Sequence, residues 1–165
     1  MKFKLAVVAA LAAVTTLCVA GVAGAAKQAP GVTFHLVEKD AAFHFVDNKP
    51  LGGPNEPPSI GDMFAFTSSL WTRGNKRAGL LYASCIVTSG GKHAVSQCTG
   101  TFTLAGGQLA LQTAIKDDRT GKPDHIAIVG GTGAYEGARG SVTSVSRSES
   151  SPFSDDTVHL LPKAA

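Results

Sequence analysis

Residues 78–104 read AGLLYASCIVTSGGKHAVSQCTGTFTL. β-Branched and aromatic residues are frequent on both sides of Gly90 and Gly91, and two adjacent glycines are typical of a tight turn between antiparallel strands. A hairpin folded at these glycines brings Cys85 opposite Cys98. The stretch therefore predicts two paired antiparallel strands.

The same pattern recurs along the chain, because short β-rich segments alternate with clusters of Gly, Pro, Asn and Ser. No apolar stripe with a helical period persists for three turns outside the N-terminus. Short hairpins favour an up-and-down order, and closure of the sheet removes exposed edges. We therefore predict an all-β fold, a single eight-stranded antiparallel up-and-down β-barrel. The predicted strand segments are 31–38, 42–46, 62–72, 78–88, 94–104, 108–115, 125–130, 140–148 and 157–161.

The N-terminus has the three parts of a secretory signal peptide. Lys2 and Lys4 precede an uncharged apolar run of about 16 residues, and small residues follow at 23–26. A bilayer-spanning helix needs about 20 residues, so a retained anchor fits less well. We predict a cleaved signal peptide at 1–25, a barrel domain at 26–165, a secreted product (extracellular or periplasmic), and no membrane association after cleavage.

The mature chain is nearly neutral and has room for one core. The whole chain has 15 Lys and Arg against 12 Asp and Glu, and loss of Lys2 and Lys4 brings the net charge close to zero. Nucleic acid is therefore not an expected partner, because its binding needs clustered cations.

Residues 47–61 carry four prolines and three glycines and predict a long loop. A domain linker is the alternative, but too few mature residues precede it to form a core.

Two cysteines remain once Cys18 is removed with the signal peptide. Thiols of exported proteins usually pair, so the sequence predicts a disulfide between Cys85 and Cys98. The alternative is two separate buried thiols.

A glycine-rich segment, residues 128–137, superficially resembles a dinucleotide-binding loop. Its third glycine comes one residue late, and the residues after it alternate as in a strand. We predict a strand, a tight turn and another strand around 130–140. The five histidines lack the spacing of a zinc site, so neither metal nor cofactor is expected.

Three blocks of the chain form a recognisable order: FHLVEKD at 34–40, IGDMFAFTSSLWT at 60–72 and VGGTGAYEGARG at 129–140. They resemble the allene oxide cyclase barrel family, with dirigent proteins as more distant relatives. That family opens on aromatic-Glu-Ile-Asn-Glu-x-Asp, continues with Leu-Gly-Asp-Leu-Val-Pro-Phe-x-Asn-Lys-Leu-Tyr-Thr, and later carries Gly-Gly-[Thr/Ser]-Gly-x-aromatic. The resemblance implies an eight-stranded barrel with an apolar cavity, often assembled as a homotrimer.

The resemblance also implies candidate site residues. The family's catalytic glutamate falls on His35 and its cavity asparagine on Ser68, so these two are the candidate catalytic residues. With Cys85 and Ser68 inward, strand alternation adds further residues to the cavity wall. Because the family's glutamate faces the cavity, the resemblance also predicts that His35 points inward with Thr33 and Val37, whereas Phe34 and Leu36 point outward. The predicted cavity-lining residues are Phe64, Phe66, Leu81, Ala83 and Cys85.

Two kinds of function follow. One is a barrel that binds a small hydrophobic molecule, either apolar or oxygenated and lipid-like or polyketide-like, and steers its cyclisation or isomerisation without a cofactor. The other is a non-catalytic ligand-binding barrel, or a structural or interaction barrel with a filled interior. A void of several hundred Å³ favours ligand binding, and a packed interior favours a structural role.

Overall fold

The computed structural model describes residues 31–48, 56–116, 122–148 and 151–162. The predicted signal peptide and residues 49–55 of the predicted loop lie outside these ranges. Eight strands follow one another around a closed antiparallel barrel, each pairing with its neighbours in sequence. The predicted eight-stranded up-and-down barrel is therefore confirmed. The strands are β1 Val32–Val46, β2 Met63–Thr72, β3 Arg77–Ser89, β4 Val95–Leu104, β5 Gly107–Lys116, β6 Asp124–Gly131, β7 Gly140–Ser146 and β8 Phe153–Leu160.

Strand β1 is longer than predicted. A bulge between Asp40 and Ala42 joins two segments that the sequence suggested were separate strands. Pairing with β8 covers only Val32 to Lys39, whereas pairing with β2 continues to Val46. Beyond Lys39, β1 is therefore paired along one side only, with β2, which in turn continues to pair with β3.

The core lies inside the barrel. Alternate residues of every strand point inward, so one face of each strand is apolar and buried. The buried apolar core consists of Leu36, Leu70, Leu81, Phe102, Leu109, Leu111, Ile128, Ala138, Val142 and Val158.

The β3–β4 hairpin carries the predicted disulfide. Cys85 is paired with Cys98 in the register of the two strands, and the two are bonded. Their Cα atoms lie 4.1 Å apart, just below the range of about 4.4 to 6.8 Å anticipated for such a bond. The disulfide prediction is confirmed, and the bond ties together two strands of the barrel wall.

The glycine-rich segment forms a turn between β6 and β7. A single 3₁₀ turn at Gly133–Tyr135 separates the strands. Gly133 has φ +62° and Gly137 has φ +71°, values that residues with a Cβ rarely adopt. The predicted strand, turn and strand are confirmed, and no helix opens at Gly133 as a dinucleotide-binding loop requires.

Asp62 fastens the end of the long loop to the barrel. Its carboxylate accepts hydrogen bonds from the backbone N–H groups of Ser59 (2.7 Å) and Asn48 (2.9 Å). These bonds hold the pKa of Asp62 below its ordinary value. The Gly91 N–H also donates to the carbonyl of Pro58 at 2.9 Å, so the loop packs on the β3–β4 turn.

Candidate functional site

A cavity of about 50 Å³ lies inside the barrel. A water molecule needs about 10 to 15 Å³ on this scale, so several waters or part of a small organic molecule fit. The volume is smaller than the several hundred Å³ set out above as the sign of a ligand cavity. The wall is mainly apolar, with two acidic residues. Its lining residues are Glu38, Phe66, Leu81, Ala83, Cys98, Thr99, Gly100, Phe102, Leu111, Gln112, Thr113, Ile115, Ile126 and Asp156.

Glu38 reaches the cavity from β1. It stands two residues after Leu36, which is 4% exposed and belongs to the core. Side chains two apart share one face of a strand, so Glu38 points inward as well. It is paired with Leu70 of β2 on one side and Ser154 of β8 on the other.

Asp156 reaches the same cavity from β8. It is 1% exposed and shares one face of β8 with the fully buried Val158, two residues further along. The register pairs it with Leu36 of β1 and Ser144 of β7. Both carboxyl oxygens are buried, and neither has a hydrogen-bond partner among the described residues. Asp156 is therefore a buried acceptor group directed into the barrel.

Burial changes the acidity of both groups. It raises the pKa of Glu38 to about 7, with a further contribution from the charge of Asp156. It also raises the pKa of Asp156 to about 6, while Ser144 and Glu38 lie close enough to oppose part of this rise. Near neutral pH the coupled pair is therefore partly protonated and still carries negative charge.

Ser68 lies beside the acidic pair on β2. It is fully buried, and its hydroxyl donates to Asp40 Oδ1 at 3.4 Å. The Ser68 hydroxyl also lies close enough to Glu38 to lower its pKa, which opposes part of the effect of burial. Ser68 is thus placed to orient the carboxyl groups on β1.

His35 lies on the outer face of β1. It alternates with Leu36, and its Nδ1 lies 3.2 Å from the hydroxyl of Thr157 on β8. The predicted phase of β1 was therefore wrong by one residue, because Phe34 and Leu36 face the core and His35 does not. The ungapped match to the family placed its glutamate on His35, whereas the inward carboxyl of this strand is Glu38.

Of the five predicted wall residues, Phe66, Leu81 and Ala83 line the cavity, whereas Phe64 and Cys85 do not. The Phe64 ring stacks on that of Phe66 with centroids 6.4 Å apart. Cys85 is buried, and its disulfide partner Cys98 lines the wall. The sequence prediction missed both acids. The available signal was spacing, because Glu38 lies two residues from the apolar Leu36 and Asp156 two residues from Val158, which places each acid on an inward face.

Within the described ranges, no group of three or more His, Cys, Asp or Glu residues is arranged to hold a metal ion. Among those same residues, no helix is long and apolar enough to cross a membrane.

The family model described as "Allene oxide cyclase barrel like domain" matches residues 31–152, most of the chain. The chain belongs to the allene oxide cyclase barrel-like family. No curated protein matches the sequence. Family membership agrees with the closed eight-stranded barrel and with the resemblance in the three sequence blocks.

Solved structures of similar fold include three enzymes. Pyocyanin demethylase is 25% identical, with a TM-score of 0.66 over 78% of this chain and 99% of its own. The pterocarpan synthase dirigent protein PsPTS1 is 17% identical, with a TM-score of 0.66 over 84% and 99%. AbnU, an exo-specific intermolecular Diels-Alderase, is 13% identical, with a TM-score of 0.60 over 78% and 96%. The last two likenesses concern the fold alone.

Proposed function

We propose that this barrel binds a small, largely apolar molecule in its cavity and moves a proton to or from it through Glu38 and Asp156. The observation that carries the proposal is the pair of Asp156 oxygens, which are buried without a hydrogen-bond partner beside Glu38. Burying unpaired acceptors is costly, and such groups concentrate at functional sites. A bound molecule that supplies a donor or a charge removes that cost.

The two carboxyl groups suit acid–base chemistry because both pKa values lie near neutral pH. A positioned acid or base is most effective when its pKa is close to the working pH, and contributes about 10² to 10⁴ in rate. We therefore propose that Glu38 donates a proton to the bound molecule and that Asp156 receives one or stabilises positive charge. Isomerisation or cyclisation of an oxygenated lipid-like or polyketide-like molecule is chemistry of this kind.

In this proposal Ser68 is a positioning residue that holds the carboxyl groups of β1, and His35 has no part in the cavity chemistry because of its outward ring.

The names of the similar structures support small-molecule chemistry: they describe a demethylase, a pterocarpan synthase and a Diels-Alderase. The small volume of the cavity favours the second candidate, a non-catalytic or structural barrel.

Export and self-association complete the proposal. Export is supported by the disulfide between Cys85 and Cys98, since such bonds persist mainly in oxidising compartments. A homotrimer is supported by exposed apolar side chains at the paired ends of β1 and β2, where Phe43 is 66% exposed and Met63 is 44% exposed.

The binding claim predicts that filling the cavity abolishes ligand uptake. Ala83 lines the cavity and Ser84 points to solvent, so Ala83→Leu and Ser84→Leu place the same side chain on opposite faces of β3. We expect Ala83→Leu to weaken binding of the neutral fluorescent probe Nile red by at least about tenfold, and Ser84→Leu to leave it unchanged. Fluorescence titration measures both, with melting curves to check folding. Equal binding by wild type and Ala83→Leu would favour the structural barrel.

A further inference from the structure

The interior of the barrel carries negative charge that no cation of the described chain offsets. Besides each other, Glu38 and Asp156 are affected by the charges of Asp40 and Asp155 and by the hydroxyls of Ser68 and Ser144. None of these is basic, and the residues that line the cavity include no Lys, Arg or His.

Two cations close to this part of the barrel, Lys39 on β1 and Arg147 just after β7, are engaged on its outer face. Lys39 follows Glu38 and so points to the outer face, where its Nζ lies 5.6 Å from the centre of the Phe153 ring. Arg147 approaches the same ring at 5.4 Å and makes a two-bond salt bridge with Asp155. The charge inside the barrel is therefore left for a ligand to balance.

Two aromatic rings face the same cavity. Phe66 and Phe102 both line its wall, and Phe102 is 1% exposed. The face of an aromatic ring attracts a cation, most strongly where water is excluded. Carboxyl groups together with aromatic rings in an apolar wall are a chemical environment suited to an organic cation.

We propose that the ligand of this cavity is a small apolar molecule carrying one positively charged nitrogen, which is held against Asp156 and Glu38. This inference rests on the proposed function. A neutral oxygenated ligand can accept the proton of Glu38, but it leaves the charge of Asp156 without a counter-ion. An ammonium or quaternary nitrogen neutralises that charge, and its carbon substituents contact the phenylalanines. Binding then favours the ionised carboxyl groups, so it releases protons and strengthens as the pH rises.

The test compares two probes of nearly the same shape, the cation trimethylphenylammonium and the neutral tert-butylbenzene, by displacement of Nile red from the full mature chain. The quaternary nitrogen is charged at every pH, so any pH dependence reports on the protein. At pH 8 we expect the cation to bind at least about tenfold more tightly than the neutral probe. At pH 4.5 the preference should disappear, because both carboxyl groups are then protonated.

The Glu38→Gln/Asp156→Asn variant should lose the preference for the cation and keep its affinity for tert-butylbenzene, whereas Asp155→Asn on the outer face should keep both. Binding of tert-butylbenzene with no preference for the cation at pH 8 would overturn this inference alone. A preference that survives in the double variant would also overturn it. Failure of both probes to bind would overturn the proposed ligand-binding function with it. The wild-type pH series gives the answer without the variants if they do not fold.

Discussion

Replacing Glu38 with Gln and Asp156 with Asn should make the barrel several kcal/mol more stable at pH 8, because raising the pKa of a buried carboxyl by one costs about 1.4 kcal/mol above that pKa. The replacement should also remove most of the pH dependence of its stability between pH 4.5 and 8. In the folded chain, burial raises the pKa of Glu38 to about 7 and that of Asp156 to about 6. The folded state therefore binds more protons than the unfolded state over this range. Wild-type stability should be highest near pH 4.5 and should fall as the pH rises through both values.

Urea unfolding at several pH values measures this effect. Asp62 and Asp155 have lowered pKa values, so their contribution is lost only as the pH falls below about 4, outside the chosen range. Arg147→Gln/Asp155→Asn is the matched control, and should change the slope between pH 4.5 and 8 only slightly, because the charge of Asp155 is the smallest contribution to the raised pKa of Asp156. A wild-type stability that is flat or rises across this range would show that the two carboxyl groups are not held in their protonated forms.

Removing the disulfide by Cys85→Ser/Cys98→Ser should lower the free energy of unfolding by about 3 kcal/mol. The bond closes a loop of sequence separation 13 and restricts the unfolded chain, while the β3–β4 pairing still defines the register. Denaturant unfolding with and without a reducing agent measures the effect. Reduced wild type should match the variant, and the variant should not respond to the reductant. Equal stability of oxidised wild type and the variant would contradict the prediction.

Much of the fold was predictable because turns and alternation act locally. The pair of glycines at 90 and 91 fixed the β3–β4 hairpin closely enough to place Cys85 opposite Cys98. The glycines around 133 identified a turn, because their backbone angles are ones that other residues avoid.

The phase of β1 was predictable from alternation, and the family match pointed the other way. Val32, Phe34 and Leu36 share one face of the strand with Glu38, whereas the opposite face carries Thr33, His35, Val37 and Lys39. The more apolar face is the one that packs into the core. The ungapped match to the family placed its glutamate on His35, and following that match gave the wrong phase.

Strand β8 was predicted to begin at Thr157, four residues late. Ser154, Asp155 and Asp156 read as a polar loop, yet they lie within the strand and Asp156 is buried. Sequence rules assume that inward strand positions are apolar, and they fail where a barrel carries an acid in its interior. Such failures are concentrated at functional sites, which agrees with the role proposed for Asp156.

Direct titration of the two carboxyl groups tests the central claim, that a proton-holding pair lies in the cavity. Carboxyl carbon-13 NMR of the ligand-free barrel, with Glu38→Gln and Asp156→Asn used to assign the resonances, follows each group from pH 3 to 9. Two carboxyl resonances should titrate with apparent pKa values of about 6 and about 7, which belong to the pair. Titration of every carboxyl group below about pH 5, in the ordinary range of Asp and Glu, would contradict it.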